Sequence, residues 1–239
     1  MDKTQLVEIK KGQVGTGLLI ERDGYLSIEE GKRQSILESM DNGGFSVPNP
    51  FVVDAVFQKY GIKNANGRIY PEKVLKKVVN EYQTRIKEKR AYGECNHPSE
   101  STIDLGRISH NITELHWEGK TLVGKMELNI TEGYRRHGIV SSYGDTIANL
   151  LLNGYKIGVS SRGVGSVEQK MGEYIVGDDF ELICWDCVSD PSTNNAYISI
   201  NGEKGLEQYI ESNEKEGKQL VETSSSNDKL ERINELLGL

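Results

Sequence analysis

Short runs of alternating apolar and polar residues in the middle of the chain place the strongest constraint on the fold. Residues 106–117 and 121–128 are two such runs, joined across a turn that contains Gly119, and every other residue of the second run is apolar or glycine. This spacing predicts a β-hairpin. Apolar runs at 51–57, 155–167 and 174–188 predict further strands. We therefore expect a mostly β fold with peripheral helices, of the α+β class, built on a mainly antiparallel sheet.

Helical periodicity is clearest after Pro71. A proline is well tolerated at the first position of a helix, because the N–H that it lacks has no partner there. Apolar residues then recur at helical spacing, which predicts an amphipathic helix over residues 71–89. A shorter apolar segment at 145–153, ended by Asn153-Gly154, predicts a second helix. The pattern at 203–212 is compatible with a third.

The distribution of apolar residues indicates one domain with polar extensions. The chain has 239 residues, of which 36% are apolar, enough for a core spanning about 150–180 residues. Residues 1–45 show no sustained hydrophobic period, so we predict an N-terminal arm there and one folded domain over 46–212. Residues 213–228 are mainly Glu, Lys, Ser, Asn and Gly, a composition typical of disorder. We predict a flexible tether and C-terminal peptide over 213–239, ending in an apolar stripe of Leu230, Ile233, Leu236 and Leu237.

Charge, hydropathy and cysteine usage exclude several classes of protein. The 29 Lys and Arg against 36 Asp and Glu give a net charge of −7, which disfavours a nucleic acid as direct partner. We find no apolar run of about 18 residues, so no membrane span is predicted, and the N-terminus lacks the apolar core of a secretory signal. The three cysteines are an odd number in a sizeable chain, which argues against a disulfide framework. We expect a reducing, cytosol-like compartment.

Three polar residues stand in local settings that suit nucleophilic catalysis. His97 lies in the polar segment 93–98, and Ser160 lies among small residues in the run 158–166. Asp186 interrupts an apolar strand, where a carboxylate is costly unless a charge or hydrogen-bond donors meet it. A serine becomes a useful nucleophile when a base accepts its proton. We therefore predict Ser160 as nucleophile, His97 as base, and Asp186 as the group that orients the imidazole.

The same segments allow other interpretations. Cys95, His97, Cys184 and Cys187 supply the four ligands of a zinc site, but residues three apart in a strand point to opposite faces. Cys95 with His97 is another candidate pair, although buried thiols usually pack as small hydrophobes. The run 158–166 also suits a tight turn. We predict no metal and no cofactor. We expect the remaining histidines to be structural, with His110 and His116 on one solvated strand face and His137 in a loop.

Four motifs in order carry a family resemblance. They are Asn66-Gly67-Arg68-Ile69-Tyr70-Pro71, Gly93-Glu94-Cys95-Asn96-His97-Pro98, the run from Gly158 to Ser166, and Asp186-Cys187-Val188 followed by Pro191-Ser192. Together they resemble the prohead (head-maturation) serine proteases of large contractile-tailed bacteriophages, over about residues 45–200. The resemblance implies a fold similar to the herpesvirus assemblins, a closed and mostly antiparallel β-barrel ringed by helices.

The resemblance also implies roles for particular residues. His97 matches the family's catalytic histidine in its Asn-His-Pro context, and Ser160 matches the nucleophile in its Gly-Val-Ser context. Asp186 falls on the strand where assemblins place their third residue, with Glu94 as the competing candidate. We further predict the backbone N–H groups of Arg162 and Gly163 as an oxyanion element, with the Arg162 side chain countering a substrate charge.

The implied activity is removal of scaffold inside the immature capsid, in the host cytoplasm. Such enzymes cleave core and capsid proteins after Glu, typically in Leu/Ile-x-Glu, and self-association is left open. Among several matches in this chain, we predict self-cleavage after Glu222, because a polar tether opens at little cost. The alternative function is a non-catalytic capsid-assembly core protein on the same fold.

Overall fold

The computed structural model describes residues 7–41, 44–98 and 100–189. The strands of this part of the chain are β1 (Gly15–Ser27), β2 (Val52–Lys59), β3 (Arg68–Ile69), β4 (Tyr92–Glu94), β5 (Ile108–Glu118), β6 (Thr121–Leu128), β7 (Gly158–Lys170), β8 (Glu173–Val176) and β9 (Glu181–Val188). The helices are α1 (Glu30–Asp41), α2 (Glu72–Lys87), α3 (Glu132–His137) and α4 (Tyr143–Leu152), with a 3₁₀ turn at Leu105–Arg107. The prediction of a mostly β fold with peripheral helices is confirmed.

The strands form one sheet in the order β3-β8-β7-β1-β2-β6-β5-β4, and β9 pairs with β7. All the pairings are antiparallel except β3 with β8. The sheet is open, so the predicted closed barrel is wrong. Where β4 approaches β9, the described residues form a single bridge between Cys95 and Cys187. No ladder extends from that bridge in the described chain, and the next residue, Asn96, adopts a left-handed conformation (φ 65°).

The helices and strands that were predicted from a clear hydrophobic period agree with the structure. The predicted hairpin is β5–β6, and its turn contains Gly119 at φ 56°. The helix predicted after Pro71 is α2, which buries five apolar side chains of one face: Val74, Leu75, Val78, Val79 and Tyr82. The helix predicted at 145–153 is α4, which begins with a capping box between Ser142 and Asp145. The strand predicted at 174–188 is two strands, β8 and β9, because the chain turns at Gly177 to bring Phe180 back to it.

The predicted N-terminal arm is wrong for the described residues of that region. β1 lies inside the sheet, paired with β7 along Gly15–Tyr25 and with β2 along Tyr25–Ser27. The alternation of apolar and polar residues expected of a strand is interrupted in β1 for two reasons. Glu21 is fully buried in an ion pair with Arg68, so a charge occupies a core position. A register shift between Glu21 and Gly24 then changes the alternation.

The hydrophobic core positions β9. The ring of Trp185 packs edge-on against Phe57 and Tyr82, with centroids 5.2 and 5.1 Å apart. Because side chains alternate along a strand, this packing directs the neighbouring residue Asp186 to the opposite face of β9. The chain beyond residue 189, including the predicted helix at 203–212 and the predicted tether and C-terminal peptide at 213–239, lies outside the described residues.

Candidate active site

Ser160, His97 and Asp186 lie together, on β7, in the segment after β4, and on β9. Ser160 and Asp186 are opposite each other in the β7–β9 ladder. The His97 Nε2 atom lies 2.5 Å from Ser160 Oγ, and its Nδ1 atom lies 2.9 Å from Asp186 Oδ2. The imidazole therefore joins the hydroxyl to the carboxylate in one hydrogen-bonded chain.

The backbone after β4 brings His97 to this position. The N–H of Asn96 donates to the carbonyl of Cys187 at 2.8 Å, which fixes the segment to the strand that carries Asp186. The Arg107 guanidinium donates to the carbonyl of Cys95 at 2.8 Å and holds the segment from its other side. Pro98 follows directly and restricts the backbone. The polar segment recognised in the sequence is thus anchored at Cys95 and Asn96, immediately before His97.

Asp186 is buried and receives several hydrogen bonds. Its Oδ2 atom accepts from His97 Nδ1 and from Arg162 Nε, both at 2.9 Å, and its Oδ1 atom accepts the Glu94 N–H at 3.0 Å. Burial alone would raise the pKa of this carboxyl group. The hydrogen bond from His97 and the charge of Arg162 outweigh burial, so the pKa of Asp186 lies below its usual range. Asp186 is therefore a carboxylate at neutral pH.

The competing third residue, Glu94, is engaged elsewhere. Its Oε2 atom forms a short ion pair with Arg162 Nη2, and its Oε1 atom accepts the Asp104 N–H at 2.8 Å. Asp186 is the carboxylate that contacts His97, and Glu94 instead binds the arginine that supports Asp186. Burial lowers and the surrounding anions raise the pKa of Arg162, and the net result lies above its usual value. Sequence reasoning missed this pair, because 68 positions separate its members.

The prediction that the Arg162 side chain counters a substrate charge is wrong. Its side chain has no exposed surface and is committed to Glu94, Asp186 and the carbonyl of Glu100. Gly163 has a packing role, since a Cβ atom there would lie 2.4 Å from the Phe180 ring. The oxyanion role of the two backbone N–H groups stays a prediction.

The site is closed in this structure. Ser160 has no exposed surface, and 7% of the His97 side chain is exposed. A reacting carbonyl group must come within about 3–3.5 Å of the nucleophile. In this conformation the Ser160 hydroxyl is therefore covered, and a reacting carbonyl group cannot reach it.

The zinc interpretation does not fit the geometry. Both ring nitrogens of His97 are occupied by Ser160 and Asp186. The thiol of Cys184 contacts Arg162 and Asp186 on one face of β9, whereas the thiol of Cys187 lies 3.4 Å from His110 on the other. Within the described ranges, no cluster of three or more His, Cys, Asp or Glu residues could hold a metal ion.

Cys95 is also a poor nucleophile candidate. Burial raises the pKa of its thiol, which disfavours the reactive thiolate. His97 is hydrogen-bonded to Ser160 rather than placed to activate Cys95.

His110 differs from its predicted exposed position. A register shift in the β5–β6 ladder between Ile112 and Glu114 separates the two strand histidines, so that His116 is half exposed and His110 is fully buried. The His110 Nε2–H donates to the carbonyl of Trp185 at 3.1 Å, and Nδ1 lies 2.9 Å from Ser109 Oγ. Burial lowers the pKa of His110 to about 4, so the ring is neutral at neutral pH.

A serine, a histidine and an aspartate linked in this order, on a mostly antiparallel sheet, are the arrangement of the serine proteases. The family model for the prohead core protein serine proteases matches residues 18–214. The chain belongs to this family, and the resemblance found in its motifs is confirmed. The match begins within β1, in the region that we predicted as an arm.

Two comparisons with individual proteins agree. The prohead core protein protease of Enterobacteria phage T4 is 31% identical over 167 residues, which cover 69% of this chain and 75% of the relative. The solved structure of the bacteriophage T4 capsid assembly protease has a TM-score of 0.58 and 26% identity, and the match covers 73% of this chain and 98% of that one.

Within the described ranges, no helix is long and apolar enough to cross a membrane.

Proposed function

We propose that this protein is a serine endopeptidase of phage head maturation, acting through Ser160, His97 and Asp186. The observation that carries the proposal is the hydrogen-bonded chain from Ser160 Oγ through the His97 ring to Asp186 Oδ2. Membership of the prohead core protease family supports the choice of a peptide bond as the substrate.

The geometry suits a two-stage acyl transfer. His97 Nε2 accepts the proton of Ser160 Oγ as the oxygen attacks the substrate carbonyl carbon, and it then gives that proton to the leaving amine. In the second stage, a water molecule attacks the acyl group, His97 again accepts the proton, and the acyl group leaves Ser160. Asp186 accepts the Nδ1–H of His97, which leaves Nε2 free to take the serine proton and stabilises the imidazolium that forms.

The proposed substrates are the core and capsid proteins of the prohead, cleaved after Glu in Leu/Ile-x-Glu within the immature capsid. The printed names of the two T4 relatives, a prohead core protein protease and a capsid assembly protease, support this setting. We also propose self-cleavage after Glu222, which lies outside the described residues.

Co-expression with the phage's scaffold protein tests the proposal. We expect wild type to cut the scaffold, with cut sites after Glu, and Ser160→Ala to lose roughly 10⁵–10⁶-fold in kcat because the three residues act as a unit.

Ser161→Ala is the matched control. The Ser161 hydroxyl is buried on the opposite face of β7 and has no hydrogen-bond partner among the described residues. This variant should retain most of the activity. Equal cutting by wild type and Ser160→Ala would reject the proposal, and an intact scaffold in both would favour the non-catalytic core protein.

A further inference from the structure

A fully buried ion pair between Glu94 and Arg162 lies directly behind the Ser160–His97–Asp186 chain. Neither side chain has exposed surface, and Arg162 Nη2 contacts Glu94 Oε2. We propose that this pair is a positioning element that fixes Asp186 and the His97 segment and leaves one net negative charge facing the imidazole. The inference rests on the proposed function, since it explains how the same site is held ready.

The pair holds Asp186 from two sides. Arg162 Nε donates to Oδ2, the same oxygen that accepts from His97, and the two distances are both 2.9 Å. The backbone N–H of Glu94 donates to Oδ1 at 3.0 Å. The carboxylate therefore cannot rotate away from His97 without breaking a buried charged hydrogen bond, which is among the stronger hydrogen bonds in proteins.

The pair also holds the chain that follows His97. Arg162 Nη1 donates to the carbonyl of Glu100 at 2.6 Å, and Glu94 Oε1 accepts the N–H of Asp104 at 2.8 Å. Both members of the ion pair thus bind the segment 100–104, a few residues after His97. One buried ion pair thus connects β4, β7, β9 and the segment 100–104 that follows the base.

The ionised groups beside His97 carry one net negative charge. Glu94 and Asp186 each contribute −1 and Arg162 contributes +1, so the group carries −1 when the imidazole is neutral. If Glu94 were absent, Arg162 would cancel the charge of Asp186. Glu94 therefore preserves the electrostatic effect of Asp186, although it does not touch His97.

Burial keeps the other titratable groups around Asp186 in their neutral forms at neutral pH. Burial raises the pKa of four of them and lowers that of the fifth to about 4: Tyr82 on α2, Cys95 after β4, Cys184 and Cys187 on β9, and His110 on β5. The other charged side chains near this group include Arg85 on α2, which donates to the carbonyl of Ile183, and Arg107, which donates to the carbonyl of Cys95; both are partly buried. Glu100 and Asp104, whose backbone groups bind the ion pair, have exposed side chains. The charge balance at the base therefore depends mainly on Glu94, Asp186 and Arg162.

The test measures how fast a fluorophosphonate labels Ser160 in the full-length protein, from pH 5 to 9. The variants are Glu94→Gln, Arg162→Gln and the double variant, with Ser160→Ala as the unlabelled control. Labelling needs a neutral His97 as base, so its rate rises with pH through an acidic limb. Removing one unit charge near the base shifts the midpoint of that limb by about one pH unit.

The two single variants should shift the limb in opposite directions. Glu94→Gln makes the site less negative, which favours the neutral imidazole, so the midpoint moves to lower pH. Arg162→Gln makes the site more negative, so the midpoint moves to higher pH. A purely structural pair would lower the rate in both variants without opposite shifts, and that result would overturn the charge argument.

The double variant keeps the inference testable if a single variant fails to fold. Replacing both members of a buried ion pair removes the unpaired charge that destabilises a single variant. We expect it to fold, with a midpoint near that of wild type but a labelling rate at least tenfold lower, since Asp186 and the segment 100–104 lose their anchors. A folded double variant that labels at the wild-type rate would overturn the inference. Failure of wild type itself to label would reject the proposed function, and the inference with it.

Discussion

At the scale of single residues, the site combines ionised and neutral buried groups that lie close together. Asp186 stays ionised because His97 and Arg162 donate to it, as its lowered pKa shows. His110 contacts the backbone of Trp185, the residue before Asp186. It stays neutral because burial lowers its pKa to about 4. Its ring also lies against Gly93, where a Cβ atom would come within 2.3 Å of Nε2. Gly93 thus leaves the space that the neutral His110 ring occupies.

The buried neutral histidine predicts a pH dependence of stability. His110 has a lower pKa in the folded state than the value near 6.5 of an unfolded chain. The unfolded state therefore binds the proton first, and stability is lost as the pH falls from about 6.5 to about 4. The loss from this one residue is at most about 3 kcal/mol.

The measurement is the thermal midpoint of wild type and His110→Gln at pH 7.5 and pH 5. Acid also protonates carboxyl groups, so the informative quantity is the difference between the two proteins. The glutamine keeps a donor for the Trp185 carbonyl and does not titrate, so its midpoint should fall less than that of wild type. An equal fall in both proteins would show that His110 does not contribute.

Residues with a distinctive local sequence were predictable, and their partners were not. Asp186 was identifiable because a charge in an apolar strand requires a partner, and the structure places His97 there. The support from Glu94 and Arg162 was not, because it depends on the pairing of β7 with β9 and on the path of β4. These contacts join residues far apart in the chain, so neither the hydrophobic period of a segment nor the spacing within a motif predicts them.

At the scale of secondary structure, β1 and α2 show why prediction succeeded for one element and failed for another. α2 has one apolar and one charged face, so its period is visible in the sequence. β1 is covered on both faces and contains the buried Glu21, which accepts hydrogen bonds from Arg68 at 2.5 Å and from Tyr70 at 2.9 Å. Asn64 and Asn66 bind its second oxygen at 2.7 and 2.8 Å. The motif around Arg68 that contributed to the family resemblance is therefore the partner of β1.

The position of β1 predicts that residues 46–239 do not fold by themselves. Deleting 1–45 leaves β7 and β2 without their shared neighbour and leaves the buried Arg68 without its carboxylate. Removing one partner of a buried ion pair alone costs about 3–5 kcal/mol, comparable to the stability of many domains. Circular dichroism of the fragment should show no cooperative thermal transition.

A point variant tests the same contact in the full chain. Glu21→Gln should lower the thermal midpoint by several degrees, whereas Glu72→Gln, which removes an exposed ion pair with Lys76, should change it little. A fragment 46–239 that melts like the whole protein would restore the interpretation of residues 1–45 as an arm.

At the scale of the whole molecule, the folded structure of the described residues limits where the protein can cleave itself. Of the glutamates in Leu/Ile-x-Glu, Glu21 is buried in β1, Glu38 is in α1, Glu114 is in β5, and Glu132 is in α3. A protease needs an extended and unpaired substrate, so these sites require local unfolding before cleavage. Glu222 lies outside the described residues, in a stretch of Glu, Lys, Ser and Gly whose composition is typical of disorder.

We therefore predict that cleavage after Glu222 comes first and releases residues 223–239, which include the apolar Leu230, Ile233, Leu236 and Leu237. Thr223-Ser224-Ser225 follow the scissile bond with small side chains, so they offer little steric resistance in the active site. Intact-mass analysis after incubation should show the shorter chain for wild type, and the full-length mass for Ser160→Ala and for Glu222→Gln. A stable full-length mass for wild type, or a first cut within residues 45–200, would refute the prediction. Cleavage of Ser160→Ala after wild type is added would show that the cut occurs between molecules, which requires the covered Ser160 of one molecule to open to the chain of another.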